Sequence, residues 1–353
     1  MQYEQGVIRP PSEAQSLLIR VTRNCPWNQC IFCPAYKGTK FSKRTVDEVK
    51  QDIDNMALAH GAYASNITTA FLQDADSLVL PTVDLLEILH HLKARFPSVN
   101  RVTSYARAHT MKRKTTQEYT QLKEAGLTRI HTGMESGSAR VLKLIQKGTG
   151  PETIIEGGLH VKKAGISLSE YIMPGVGGRA LSQEHAVETA RVLNAIEPDF
   201  IRVRTFAMHP QSPMQRMVAD GTFVTMTDDE IAGEIRLLVA SFNEMHSYFS
   251  CADFSLNLLM QVDGYLDEKK EMMLKELDQF LGLSREQKQI YSLLRRSSPG
   301  VPYPLDVVQD QNLVNKVLPE IKNLEAKTPD GFNKYIQVLM SYQLPQPQTE
   351  DWA

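Results

Sequence analysis

Three cysteines within nine positions are the most chemically distinctive feature of this 353-residue chain. They are Cys25, Cys30 and Cys33, and the chain has one further cysteine, Cys251. Thiolates are soft ligands that suit zinc or iron–sulfur centres. A structural zinc site prefers four protein ligands, but the first histidine of the chain is His60, well beyond the cysteines. Three cysteines instead fit a [4Fe-4S] cluster with one iron open to an external ligand.

Burial of the cysteines as small apolar side chains is the alternative, since free cysteine is common in protein cores. The residues around the triplet are typical of a loop, because Pro26, Trp27 and the polar Asn28 and Gln29 separate the first two cysteines. For Cys251 we expect a buried structural thiol. The other reading is a hydrogen-atom donor, if its segment covers the site.

Apolar stretches alternate with segments of helical period between about residues 16 and 206, which is typical of parallel βα units. The predicted strands are 16–22, 67–72, 100–105, 128–134, 166–173 and 199–206. The predicted helices between them are 45–60, 82–96, 116–125, 138–146, 152–164 and 182–196. Such repeats form an open doubly wound sheet or an incomplete barrel. In either fold the functional loops follow the carboxyl ends of the strands, and the cysteines follow the first strand.

After residue 210 no further strand is predicted. Long helices are expected at about 228–246 and 265–281, followed by a mixed tail that contains proline. We therefore predict an N-terminal arm (1–15), a core (16–210) and a mainly helical C-terminal extension (211–353).

Composition narrows the class of protein. The chain is 42% hydrophobic with a net charge of −2, so it has no basic field for nucleic acid, and nucleic-acid binding is unlikely. No apolar run reaches the roughly 18 residues of a membrane span. The first residues lack the basic and apolar regions of a secretion signal, so a cytoplasmic protein is expected.

The triplet that ends in Cys30-Ile-Phe32-Cys33, after the first strand of a (βα)6 series, resembles the radical S-adenosylmethionine (SAM) superfamily. The closest resemblance is to its coproporphyrinogen-oxidase-like and methylthiotransferase-like branch. It covers about residues 16–210 and includes Gly133-Met-Glu-Ser136, Gln146-Lys-Gly148 and the Met173–Gly178 turn. The resemblance implies a partial (βα)6 TIM-type barrel that binds a [4Fe-4S] cluster and SAM. The cluster would cleave SAM to a 5′-deoxyadenosyl radical, which abstracts hydrogen from a substrate.

Two features depart from the family pattern. Four residues separate the first two cysteines, where three are usual, so the ligand loop is one residue longer. The glycine-rich turn that usually receives the SAM amino group after the second strand is replaced by Gln73-Asp-Ala-Asp76. Backbone carbonyls or a carboxylate would have to accept that ammonium group.

The resemblance also implies roles for individual residues. Cys25, Cys30 and Cys33 would ligate the cluster. Phe32 would lie beside the adenine, Glu135 would bind the ribose, and Lys147 would pair with the SAM carboxylate. The remaining candidate SAM contacts are Gln73, Asp74 and Ser104. The alternatives are loop packing for Phe32, a surface ion pair for Glu135, and for Lys147 an interaction with the negative end of its own helix.

For two pairs of adjacent strand residues, the sequence does not show which member faces the pocket. Either Ser104 or Tyr105 should face the pocket, because side chains alternate along a strand, and the same holds for Glu170 and Tyr171. Arg202 and Arg204 share one face of the sixth strand, which suits either an anionic substrate group or salt bridges to acidic neighbours. His109 and His209 are expected to be ordinary loop residues.

We therefore expect a radical SAM enzyme with a small-molecule substrate, and with reduced flavodoxin or ferredoxin as electron donor. The substrate, the catalytic residues and the reaction outcome stay open. An iron–sulfur electron-transfer or sensor protein without catalysis is the alternative, although such carriers usually hold their cluster with four cysteines. A third reading is an RNA-binding or scaffold protein with structural zinc, which the acidic pI and the missing fourth ligand oppose.

Overall fold

The centre of the molecule is a mostly parallel β-sheet. The computed structural model describes residues 8–252 and 255–345. The strands are β1 (Leu17–Arg20), β2 (Thr22–Arg23), β3 (Ser42–Lys43), β4 (Thr69–Gln73), β5 (Arg101–Tyr105), β6 (Leu127–Glu135), β7 (Ser167–Ile172), β8 (Phe200–Val203), β9 (Tyr248–Ser250) and β10 (Asp263–Tyr265). Strands β2 and β3 form an antiparallel pair, and the other eight form one sheet in the order β1-β4-β5-β6-β7-β8-β9-β10.

All neighbours in the large sheet are parallel except β9 and β10. Among the described residues β1 and β10 are its two edges, so the sheet does not close on itself. The architecture is therefore a partial, laterally open barrel, which confirms the predicted fold class. All the parallel strands end at the same rim of this barrel.

Helices cover the outside of the sheet. They are α1 (Val46–His60), α2 (Thr82–Arg95), α3 (Ala108–Arg113), α4 (Thr116–Glu124), α5 (Ala139–Leu144), α6 (Pro151–Lys163), α7 (Gly178–Ile196), α8 (Met214–Ala219), α9 (Asp228–Ala240), α10 (Leu266–Leu281), α11 (Arg285–Ser297), α12 (Gln311–Lys327) and α13 (Gly331–Ser341). The main apolar core includes alternate strand residues such as Ile19, Leu72 and Ile130, all without solvent exposure. None of the described helices has the length and apolarity required to cross a bilayer.

A buried polar group lies inside the barrel beside the N-terminal segment. Glu13 is fully buried and accepts a hydrogen bond from Ser16, 2.6 Å away. Arg101 and His131 approach the same carboxylate at 3.4 and 3.5 Å. The His131 ring in turn contacts the rings of Tyr105 and Tyr171 across the barrel interior. This part of the interior is therefore polar, unlike the layer between the sheet and the helices.

The six predicted strands and the helices between them are confirmed within a few residues. Thr45 and Thr115 cap their helices with the capping boxes that their spacing from Glu48 and Glu118 suggests. The prediction of no strand beyond residue 210 is wrong, because β9 and β10 extend the sheet. The helix expected at 228–246 ends at Ala240. The domain boundaries stay predictions, and residues 1–7 of the predicted arm and 346–353 of the predicted extension lie outside the described residues.

Candidate functional site

A cavity of about 560 Å³ lies at the carboxyl rim of the barrel and contains all three clustered cysteines in its wall. Tyr105 from the end of β5, Glu135 from the end of β6, Tyr171 from β7 and Arg204 just after β8 also line it. The chain's most reactive side chains therefore meet where the parallel strands end, as the βα pattern predicts.

Internal hydrogen bonds hold the cysteine loop. Asn28 donates to the carbonyl of Tyr36 at 2.6 Å, and Lys37 donates to the carbonyl of Asn28 at 2.8 Å. The loop is also tied to the end of β4, because the Asp74 carboxylate accepts from the backbone N–H of Asn24 at 3.0 Å and from the Tyr36 hydroxyl at 2.8 Å. The loop conformation thus depends on a carboxylate from the next strand of the sheet.

The three clustered cysteines are partly exposed, whereas Cys251 is 1% exposed and belongs to the apolar core. No three histidine, cysteine or acidic side chains within the described ranges are arranged to hold a single metal ion. A cubane cluster requires a different arrangement, because each cysteine binds a different iron and the sulfurs do not converge on one centre. The donor set of three soft thiols on one cavity wall therefore fits an iron–sulfur cluster.

Burial disfavours the thiolate form of two cysteines in the loop. It raises the pKa of Cys30 to about 12, against the smaller opposing effect of Lys147. Burial likewise raises the pKa of Cys33. These two thiols are protonated at neutral pH, so binding of iron must displace their protons.

Glu135 and Lys147 form an ion pair inside the cavity, with Oε1 and Nζ 2.8 Å apart. Their side chains are only 11% and 14% exposed. A Cβ atom at position 133 would lie 2.4 Å from Oε1 of Glu135, so Gly133 provides the space for the pair. Burial opposes the charge of Lys147, but Glu135 outweighs it and raises the pKa of Lys147. The site therefore presents an ammonium group that stays charged at neutral pH.

Helix α5 ends at Leu144, and Lys143 is the basic residue in its last turn. Lys147 lies three residues beyond that end, in the cavity wall. Its Nζ is 5.9 Å from the centre of the Phe32 ring, which also lines the cavity and packs in a small apolar cluster. Lys147 therefore does not lie where it would interact with the negative end of helix α5, which is the alternative role for this residue.

Trp27 connects the cysteine loop to the segment that carries Lys147. Its Nε1 donates to the carbonyl of Gln146 at 2.8 Å. Gly148 has a φ of 70°, and a Cβ there would lie 2.4 Å from the Trp27 ring. The Arg107 guanidinium lies over the Trp27 ring, 5.2 Å from its centre, and donates a hydrogen bond to the carbonyl of Lys147 at 3.3 Å. These contacts join the cysteine loop to the segment that carries Lys147.

The strand alternation selects one residue of each ambiguous pair. Tyr105 and Tyr171 line the cavity, whereas Ser104 and Glu170 do not. Arg204 also lines the cavity, but Arg202, which is expected on the same strand face, does not. Ser104 is fully buried and donates to the carbonyl of Tyr105 at 3.0 Å. Arg202 donates to the hydroxyl of Ser169 at 3.0 Å.

Glu170 is also fully buried, and neither of its carboxylate oxygens has a hydrogen-bond partner. Burial raises the pKa of Glu170 well above its usual range. Burial therefore favours the neutral form of this carboxyl group.

The other candidates lie outside the cavity wall. The backbone carbonyl of Gln73 accepts a hydrogen bond from the N–H of Val21, so it helps to hold the end of β1. His109 is exposed, and His209 is buried with its ring accepting from the N–H of Gln211 at 3.1 Å. His209 lies in a loop as predicted, whereas the loop prediction is wrong for His109, which lies in helix α3.

Sequence reasoning missed the part of the wall that comes from distant segments. Arg9 near the start of the described chain lines the cavity, as do Leu256 after β9, and Gln343 and Leu344 after α13. No local motif marks these residues, since their position depends on how the C-terminal helices pack over the rim. They complete the part of the cavity wall that the strand ends do not supply.

Comparison with known proteins agrees with this geometry. Residues 19–191 match the model of the radical SAM superfamily. This chain therefore contains a radical SAM domain. Members of the superfamily are enzymes that use a [4Fe-4S] cluster and SAM, with small-molecule substrates and external electron donors. The assignment to a particular branch stays a prediction.

One curated relative, from Pyrococcus horikoshii, is named as an uncharacterized methyltransferase and is 24% identical over 212 residues. The match covers 59% of this chain but only 43% of that relative. The solved structure of the cobalamin-dependent SAM radical enzyme OxsB, with aqua-cobalamin and SAM bound, is similar in fold. It has a TM-score of 0.52 and 15% identity, over 95% of this chain and 59% of that one. The radical SAM methyltransferase TsrM from Kitasatospora setae is 17% identical, with a TM-score of 0.47 over 59% of this chain and 39% of that one.

Proposed function

We propose that this protein is a radical SAM enzyme that generates a 5′-deoxyadenosyl radical to abstract hydrogen from a small-molecule substrate. The observation that carries the proposal is the single cavity shared by the three cysteines and the Glu135–Lys147 pair. The cluster, when bound, supplies the electron that cleaves SAM into methionine and that radical. The protein's own residues then have to bind SAM, orient it and exclude water.

Cys25, Cys30 and Cys33 are the proposed cluster ligands, and Cys251 is not one. The first three line the cavity, whereas Cys251 is buried in the core near Asn257. Asp74 contributes indirectly in this proposal, because its carboxylate holds the backbone of Asn24 beside the first ligand. In this proposal, the loop accommodates the four residues between Cys25 and Cys30, and Asp74 at the end of β4 holds the start of that loop.

SAM is proposed to contact the wall formed by Phe32, Glu135 and Lys147. The Lys147 ammonium has three donors. It can therefore keep its bond to Glu135 and offer another to a carboxylate in the cavity. Glu135 retains a second carboxylate oxygen to accept hydrogen bonds from ribose hydroxyls. Tyr105 takes the place that the sequence also allowed for Ser104, because it is the one that lines the cavity.

The substrate is proposed to occupy the remaining space next to Tyr171 and Arg204. A guanidinium in the wall favours a substrate with a carboxylate or phosphate. Reduced flavodoxin or ferredoxin is the proposed electron donor. An electron-transfer or sensor role without catalysis is the competing function, and it predicts no SAM cleavage.

The decisive experiment is anaerobic reconstitution with iron and sulfide, followed by incubation with SAM and a strong reductant. The expected product is 5′-deoxyadenosine, with iron lost in Cys30→Ala and retained in the matched control Cys251→Ala. Full iron content in Cys30→Ala would refute the ligand assignment. A cluster-replete protein that leaves SAM intact would favour the carrier, and S-adenosylhomocysteine as sole product would indicate methyl transfer instead.

A further inference from the structure

A buried ion pair connects two helices directly behind the proposed SAM wall. His185 of α7 and Glu234 of α9 are 0% and 1% exposed, with Nδ1 and Oε1 3.0 Å apart. The same Oε1 accepts from the backbone N–H of Gly175 at 2.8 Å. Burying two ionisable groups is costly unless each is paired and hydrogen-bonded, so an apolar pair would serve packing at least as well. Packing alone therefore does not explain why an ion pair lies at this position.

The other ring nitrogen of His185 lies on the backbone of Glu135. Nε2 is 3.1 Å from the Glu135 carbonyl oxygen, which also accepts from the N–H of Met173 at 2.9 Å. Glu135 has a φ of 62°, in the left-handed region that few residues other than glycine adopt readily. Two donors on its carbonyl oppose relaxation of this conformation, at the point where the ladder between β6 and β7 shifts register.

We infer that His185, oriented by Glu234, is a positioning residue that fixes the Glu135 backbone and thereby directs the Glu135 carboxylate towards Lys147 and SAM. This inference rests on the proposed function, because it assigns His185 a role in SAM binding through Glu135. His185 itself does not line the cavity.

The protonation of the ring agrees with this arrangement. Burial disfavours the charged imidazole, but Glu234 outweighs burial and raises the pKa of His185. A protonated ring donates from Nε2 to the Glu135 carbonyl, while Nδ1 lies 3.0 Å from Glu234 Oε1 as its ion-pair partner. Glu234 thus sets the ring orientation in the manner of a carboxylate behind a ligand histidine.

Two amide substitutions separate this role from simple packing. Glutamine at 185 places a donor near the Nε2 position, whereas asparagine places one near Nδ1 only. The dissociation constant for SAM is measured anaerobically on iron-replete protein. We expect His185→Gln to stay within about twofold of the parent and His185→Asn to bind SAM about five- to tenfold more weakly.

A double-mutant cycle with Glu135→Ala tests whether the effect passes through Glu135. In that background His185→Asn should change SAM affinity by less than about twofold. Leu122→Ala, a core substitution in α4, controls for lost stability, and Glu234→Gln replaces His185→Asn should that variant not fold. An additive effect, or equal losses in the Gln and Asn variants, would overturn the inference. Normal SAM binding in Glu135→Ala would instead overturn the proposed role of Glu135 as well.

Discussion

Replacing Lys147 by alanine removes the only ammonium group that the described part of the cavity wall contributes. The Nζ atom lies 2.8 Å from Glu135 Oε1, and the side chain is 14% exposed. A charge-assisted hydrogen bond in such a partly buried place contributes about 1.5–3 kcal/mol. Loss of that bond to the SAM carboxylate should therefore weaken SAM binding about 10- to 150-fold. In Lys147→Ala the unpaired Glu135 carboxylate would also repel the SAM carboxylate. This repulsion adds to the loss of affinity, so we expect the loss to be at least about tenfold.

The assay is anaerobic equilibrium dialysis of SAM against iron-replete protein, with iron counted per chain. Iron content should be unchanged in Lys147→Ala, because only the cysteines are proposed to ligate the cluster. Lys143→Ala is the matched control, since Lys143 is exposed in the last turn of α5. Unaltered SAM affinity in iron-replete Lys147→Ala would refute the reasoning, as would an equal loss in Lys143→Ala.

The remaining predictions concern stability. The folded-state pKa of Glu170 is raised by burial, so its contribution is fully present below about pH 4.5 and is lost as pH rises. Glu170→Gln, which removes the titrating group, should therefore raise the melting temperature at pH 7.5, and a lower melting temperature there would contradict this. Burial lowers the pKa of His131 to about 4. Its contribution is present above about pH 6.5 and lost as pH falls, so urea unfolding should show a decrease of about 2 kcal/mol between pH 7.5 and 5 that His131→Leu abolishes. Gly148→Ala should lower the melting temperature, and much of that cost should vanish in a Trp27→Ala background; equal costs in both backgrounds would exclude the clash.

Local patterns were enough to predict the partial barrel. Short strands such as Ser167–Ile172, which is buried after its first residue, and the capping pair Thr45 and Glu48 are encoded within a few neighbouring positions. Strands β9 and β10 escape sequence prediction because three residues each are too short for a periodic signal. Strand β9 forms by pairing with β8, and β10 forms by pairing with β9.

In the candidate site, too, some residues can be predicted from local sequence and others depend on contacts between distant segments. Cys25, Cys30 and Cys33 are a local motif, and Glu135 and Lys147 were predicted from the family resemblance. Asp74 was expected to contact SAM, but its carboxylate holds the cysteine loop, which depends on a long-range hydrogen bond to Tyr36 that no spacing encodes.

The hydrogen bond of His185 to the Glu135 carbonyl, across 50 positions, could not be predicted for the same reason. Periodicity reports which face a residue shares with its neighbours in the chain. It carries no information about partners on another element.

The cavity joins residues from both ends of the described chain, and this has a consequence during protein synthesis. The cysteine loop ends at Cys33, while Gln343 and Leu344 complete the opposite wall. At a translation rate of 5–20 residues per second, the ribosome needs roughly 15 to 60 seconds to travel between these positions. Throughout that interval the thiols face the surrounding solution without their cover. The nascent loop is thus open to oxidants and to iron-delivery proteins alike before the enclosing wall has been made.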